Sequence, residues 1–257
     1  MGLTKLIIPF AAPLPSLESF QRYLFFGPHP DDIEIGAGAT VAKLAAMGKD
    51  IRFVICTDGR FGDQYSAEEI RGDALARLRQ KESLESARVL GVNDVRFLNF
   101  SDGGLYDQEL LLKAIFKEIG DYKADVVFAP DPCVSSECHM DHINVGEAVR
   151  RATCFVPYPG IAEAYGAETA DVKALAYYMT AKPNTFVGTA GYTKKQLESI
   201  FACHLSQFPV GCQHGKAIKA YIKLRSADYG IRSLKGCAEG FRILGPTHMH
   251  CLPEAGK

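Results

Sequence analysis

Three observations predict an α/β protein, a Rossmann-like and mostly parallel sheet with helices on both faces. Short β-branched or aromatic runs alternate with helix-compatible stretches between residues 22 and 151. Polar clusters rich in His and Asp follow directly on several of those runs. Hydrophobic residues make up 47% and charged residues 23%, which fits a compact chain rather than a disordered or coiled-coil one.

The elements follow in order. Residues 23–26 form an apolar run stopped by Gly27 and Pro28; the Ala-rich stretch 35–47 is helix-compatible and ends at Gly48; residues 51–56 read as a second strand, completing a βαβ unit. A polar loop, 57–66, leads into an amphipathic stretch, 67–90, in which Ile70, Ala74, Leu78, Leu84, Ala87 and Leu90 recur at helical spacing before Gly91. Residues 95–100, 108–119 and 126–129 repeat strand, helix and strand, implying parallel strands joined by crossovers. After Arg151 the alternation loosens. Residues 174–179 and 185–187 suggest two further strands, and 194–202 and 216–224 two helices. The expected organisation is one domain over residues 1–257, with a core at about 22–151 and a C-terminal part, about 152–257, that completes the pocket.

The composition narrows the function classes. Lys and Arg number 29 against 30 Asp and Glu, a net charge of −1, so no global field draws the chain to a nucleic acid or an anionic bilayer. No apolar stretch approaches the roughly 20 residues that span a membrane. The short run 6–14 is interrupted by Pro9 and Pro13 and preceded by Lys5, a poor secretory signal. Eight cysteines without a C-x-x-C pair fit reduced thiols, and the expected location is the cytoplasm.

Ligands of open α/β sheets bind at the carboxyl ends of the strands, and three polar clusters fall there. The first contains His29, Asp31, Asp32 and Glu34; the second is Ser101-Asp102-Gly103-Gly104; the third contains Glu137, Cys138, His139, Asp141 and His142. One His and one Asp of the first cluster suit a divalent metal, while the neighbouring carboxylate, unable to point at the same ion, is left as a base. His139 and His142 stand three residues apart, with Asp141 available to hold an imidazole. Two His and one Asp leave a position for water, the arrangement of a catalytic zinc. Rival readings are a nucleotide site at Gly36-Ala37-Gly38, which lacks a third small residue because Val41 stands there, a structural zinc site at Cys133, Cys138, His139 and His142 or at His248, His250 and Cys251, and a non-catalytic metal-binding protein of the same fold, against which Asp31 beside the ligands speaks.

Pro28-His29-Pro30-Asp31-Asp32 with Glu34 and Gly36, together with His139-x-Asp141-His142, resembles the LmbE-like de-N-acetylases, the family of the N-acetylglucosaminyl-phosphatidylinositol (PIG-L) and diacetylchitobiose deacetylases. The resemblance extends through Thr57-Asp58-Gly59, Arg79-x-x-Glu82, Asp102-Gly103, Ser206-Gln207-Phe208 and Ala238-Glu239-x-Phe241, from about residue 23 to 241. It implies one zinc ion held by His29, Asp32 and His142, with Asp31 as general base. It implies that His139 stabilises the oxyanion or protonates the leaving amine with Asp141 positioning it, and that Arg79 and Asp102 hold sugar hydroxyls. The implied substrate is a small N-acetylglucosamine-containing molecule whose aglycone, a second sugar, an inositol or a malate, is left open along with a non-sugar amide. Where some members carry a Tyr that polarises the carbonyl, this chain has Glu137. Several members of that family assemble as trimers or hexamers, so the resemblance implies a homo-oligomer, a trimer or hexamer.

Overall fold

In the computed structural model, which describes residues 7, 8, 10–65, 69–250 and 252, seven strands form one sheet in the order β3-β2-β1-β4-β5-β7-β6. β1 (Arg22–Gly27), α1 (Asp32–Ala46) and β2 (Asp50–Thr57) make the first βαβ unit; α2 (Asp73–Leu90) leads to β3 (Asp94–Phe100), and α3 (Gln108–Tyr122) to β4 (Val126–Pro130). α4 (Met140–Phe155) and the short α5 (Pro159–Ala164) precede β5 (Ala174–Tyr178). β6 (Thr185–Gly188), α6 (Thr193–Glu198) with a π-helical turn at Ser199–Cys203, α7 (Gln213–Ser233), β7 (Ala238–Leu244) and α8 (Pro246–His250) complete the chain.

β1 pairs in parallel with β2 on one side and β4 on the other, β2 with β3, and β4 with β5, whereas β7 runs antiparallel to both β5 and β6. β1, β4 and β5 are buried on both faces and read as near-continuous apolar runs, whereas the edge strand β3 is partly exposed along its length. Tyr23 and Phe25 of β1 join Phe53, Phe128 and Phe241 in one core, and Leu24 and Phe26 join Val54, Ile115 and Val127 in the other. Period-two alternation along each strand supplies both layers.

Several boundaries differ from the sequence expectation. The helix expected at 67–90 begins only at Asp73, because Gly72 adopts φ +55° and Ile70 stays outside the helical register; residues 66–68 lie outside the described residues. α1 starts three residues earlier than expected, so Asp32 sits in its first turn. The expected 194–202 helix divides into α6 and the π turn, and the 216–224 helix extends to Gln213–Ser233. β7 was not expected as a strand; it inserts between β5 and β6 and brings Glu239 into the interior.

Glu239 accepts N–H groups from Ala39 (3.2 Å) and Thr40 (2.7 Å) of α1 and from Gln196 Nε2 (2.8 Å) of α6. Glu82 of α2 accepts Ser206 N–H (2.8 Å) and Oγ (2.6 Å). The C-terminal segment is therefore tied to the helices that carry the site. Among the described residues, no helix is long and apolar enough to cross a membrane.

Candidate metal centre and active site

The chain leaves β1 toward β2 and β3 and later returns to lay β4 on its other flank, so the crevice between β1 and β4 is the topological switch point of the sheet. His29–Asp32 follow β1, and His139–His142 open α4 after β4. All three polar clusters meet there.

Asp32 stands between two imidazoles: one oxygen lies 3.1 Å from His29 Nδ1 and the other 3.3 Å from His142 Nε2. A ligand atom of each of the three residues lies within 4.8 Å of the others. Donors about 2.0–2.1 Å from a tetrahedral zinc stand roughly 3.3 Å apart, so the separations from Asp32 fit co-ligands of one small cation. The far nitrogen of each imidazole meets a second carboxylate. His29 Nε2 hydrogen-bonds to Asp141 Oδ2 at 2.9 Å, and His142 Nδ1 lies 3.2 Å from Glu137 Oε2, off the line of a hydrogen bond. Such outer carboxylates fix ring orientation at metal sites. Glu137 also accepts the His139 N–H at 2.8 Å.

Electrostatics follow this arrangement. Burial opposes the charge of Asp32, yet His142 and His29 hold its carboxyl well below the usual range. Burial also opposes charge on His29, but its hydrogen bonds to the Asp141 and Asp32 carboxylates carry it up to about 10. Asp141, fully buried, is brought down to about 2 against its burial by His29 and by the N–H groups of Gly103 (2.7 Å) and Gly104 (2.8 Å). Those glycines have φ of +75° and +73°, a conformation that costs glycine little and presents both N–H groups to one carboxylate.

Asp31 precedes α1 with φ +123°, outside the region a non-glycine residue ordinarily occupies, and its side chain makes no capping bond. Burial pushes its carboxyl up to about 6, against the pull of Arg79. Arg79 is itself buried and donates to Gly59 O (3.0 Å), Pro30 O (2.8 Å) and Asp31 Oδ2 (3.4 Å). Behind Asp31, the buried His204 Nε2 lies 3.3 Å from Glu34 Oε1, which also accepts Ser86 Oγ at 2.6 Å.

His139, expected to be positioned by Asp141, accepts the Asp141 backbone N–H on Nδ1 at 3.3 Å, which leaves the proton of the neutral ring on Nε2. The Asp141 carboxylate itself is 3.7 Å from that ring and makes its shorter contact with His29. Burial and the neighbouring His29 lower the pKa of His139. Asp102 accepts the Phe61 N–H on both oxygens at 3.2 Å.

His29, Asp31, Arg79, Asp102 and His139 line one open pocket of about 370 Å³. Gly103 of the second cluster also lines it, and Phe61, Gly62, Gln64 and Gln207, which were not singled out by sequence as pocket residues, complete it. Arg60 and Asp63 of the same loop turn to Asp58 and Asp73 and to Arg71 respectively. Gln207 stood in a motif whose spatial place the sequence does not reveal, and Phe61 carried no signal. The rival sites do not form. Gly36 packs where a Cβ would stand 2.2 Å from the Tyr178 ring, and Gly38 where one would stand 2.9 Å from Gln196, so both glycines serve close packing rather than a pyrophosphate. Among the described residues the groupings that could hold a metal are His29, Asp32 and His142, and His29, His139 and Asp141; neither includes a cysteine, and the seven described cysteines are free, with Cys251 outside them.

Fold and site together define a Rossmann-like α/β protein with a candidate His/Asp metal centre at the switch point of its sheet. Residues 24–153 match the sequence model of the family described as PIG-L, GlcNAc-PI de-N-acetylase. The chain is 31% identical to the diacetylchitobiose deacetylase of Thermococcus kodakarensis over 91% of its own length and 87% of that protein. It is 33% identical to the 1D-myo-inositol 2-acetamido-2-deoxy-alpha-D-glucopyranoside deacetylase of Kineococcus radiotolerans over 61% of this chain and 51% of that one. The solved structure of N,N'-diacetylchitobiose deacetylase from Pyrococcus horikoshii superposes with a TM-score of 0.85 at 30% identity, covering 98% of this chain and 97% of that one. The chain belongs to the PIG-L (LmbE-like) de-N-acetylase family.

Proposed function

We propose that the chain is a zinc-dependent de-N-acetylase that hydrolyses the acetamide of a small N-acetylglucosamine-containing substrate to a free amine and acetate. The carrying observation is the approach of His29, Asp32 and His142 ligand atoms to within 4.8 Å of one another, with Asp31 lining the same pocket as His29. Two imidazoles and one carboxylate fit zinc, with a position left for water. A zinc ion held there would supply an acidified water and Lewis-acid polarisation of the acetamide carbonyl.

The remaining chemistry belongs to this chain's side chains. Asp31, its carboxyl at about 6, is ionised at neutral pH and accepts the proton of the attacking water. His139, neutral and protonated on Nε2, donates to the developing oxyanion. An amide anion is too basic to leave, so the proton taken by Asp31 returns to the departing nitrogen. Asp141 orients His29, and Arg79 holds the loop at Pro30 and Asp31. Asp102, Phe61 and Gln207 frame the space for the sugar. The C-terminal part supports this single-domain reading by supplying Gln207.

Acetate release measured across diacetylchitobiose, N-acetylglucosaminyl inositol, N-acetylglucosaminyl malate and simple non-sugar acetamides tests the reading. Turnover confined to the sugars supports it, and turnover of non-sugar amides alone overturns the substrate class. A homo-oligomer is part of the same proposal. Light scattering is expected to give a multiple of 28.1 kDa, and a monomer mass would refute it. Tyr221, Leu224, Ile231 and Leu234 are exposed apolar side chains of α7 and of its C-terminal end, suited to such an assembly.

A further inference from the structure

A second and larger cavity, about 510 Å³, shares no lining residue with the pocket at His29. Its walls come from the C-terminal half of α4, from β5 and β7, and from α8 with Leu252. The volume falls in the range of small-molecule sites.

Its chemistry is one-sided. Arg150, Arg151 and Arg242 line it against one carboxylate, Asp131. That carboxylate is already occupied, accepting Thr180 Oγ1 at 2.6 Å and Cys133 N–H at 3.0 Å. Arg150 and Arg151 reach Glu147 (2.7 Å) and Glu109 (3.8 Å), neither of which lines the cavity. The rest of the wall is largely apolar, with Phe155, Leu244, Met249 and Leu252.

A second observation is independent of this charge. Tyr177 is 2% exposed and lines the cavity, yet its buried hydroxyl has no hydrogen-bond partner. A buried hydroxyl left unpaired is unfavourable, and an acceptor oxygen brought against it would restore the missing bond. Guanidinium groups recognise planar carboxylates through paired N–H donors, and the apolar wall suits a hydrocarbon body. We propose that this cavity is a binding site for a small organic carboxylate with an apolar body, its oxygens taken by Tyr177, Arg150 and Arg151. The segment from Asp131 to His139 joins this cavity to the candidate active site, but the ligand would not touch the reacting atoms.

The probe is 3-phenylpropionate, titrated calorimetrically into the full chain as purified. One saturable site is expected, while 3-phenyl-1-propanol, the same body without the charge, should not bind. Tyr177→Phe and Arg150→Ala should each weaken the probe about tenfold, the scale of one charge-assisted hydrogen bond. Tyr177→Phe removes a single oxygen, so it keeps the test open if Arg150→Ala unfolds. His142→Ala should leave affinity unchanged. Alkylation of Cys133 and Cys154, which also line the cavity, should slow when the probe is bound. Absence of saturable binding, equal binding of the alcohol or wild-type affinity in both cavity variants would overturn the proposal. Loss of binding in His142→Ala would also overturn it, because the carboxylate would then sit at the metal centre.

Discussion

His29 Nε2 and Asp141 Oδ2 lie 2.9 Å apart across 112 residues of chain, and this bond turns Nδ1 of the same ring toward Asp32. It makes Asp141 an outer partner of the candidate metal centre as well as the backbone donor to His139. Asp141→Asn is therefore expected to weaken metal binding by roughly 10–100-fold. His29→Ala and His142→Ala should strip the metal, and elemental analysis of the unaltered protein should find about one equivalent, zinc, per chain. Unchanged metal affinity in Asp141→Asn would show that the bond does not orient a ligand.

Neighbouring carboxylates should separate cleanly. Asp31→Asn is expected to keep the metal and lose turnover by about 10²–10⁴-fold, the contribution of a general base. Asp32→Asn should lose the metal. Metal content measured alongside kcat distinguishes them, and equal metal loss in both would reverse the assignment.

The pH profile reports on Asp31 and Arg79 together. Burial raises the Asp31 carboxyl to about 6, so the base is ionised above that value and kcat/KM should fall as pH drops through it. Arg79 opposes this rise. Arg79→Ala should thus move the acidic limb to higher pH and lower kcat. A raised KM with the limb unmoved would instead make Arg79 a contact for sugar hydroxyls.

Glu239 carries a stability prediction. Replacing it with Ala removes the carboxylate that accepts the N–H groups of Ala39 and Thr40 and one acceptor of Gln196 Nε2, which keeps its bond to Glu34 O at 2.9 Å. A loss of about 3 kcal/mol is expected, or roughly 6–12 °C in Tm for a chain of this size. A thermal melt checks it, and a shift under about 2 °C would mean that the surrounding donors find other partners.

Local features made much of this legible. The first five strands alternate with helices, and apolar period and glycine or proline stops mark them within a few residues. His29, Asp31 and Asp32 are close in sequence, so one turn after β1 keeps them close in space. β7 was harder, because Ala238-Glu239-Gly240 dilutes its apolar pattern and its place between β5 and β6 depends on pairing with strands more than fifty residues away. Phe61 and Gln207 reach the pocket from a loop and from a turn after a π-helical segment, neither of which has a period to read.

The sequence by itself determined the alternation of elements, the metal-suited side chains and their position at strand ends, since each follows from spacing within a few residues. Only the tertiary structure decided which atoms face one another. It set Asp141 on His29, Glu137 beside His142, Arg79 on the loop of Asp31, and three guanidinium groups around a separate cavity. These are contacts between side chains far apart in the chain, and their geometry depends on strand order, glycine conformation and helix packing together, none of which has a local signature.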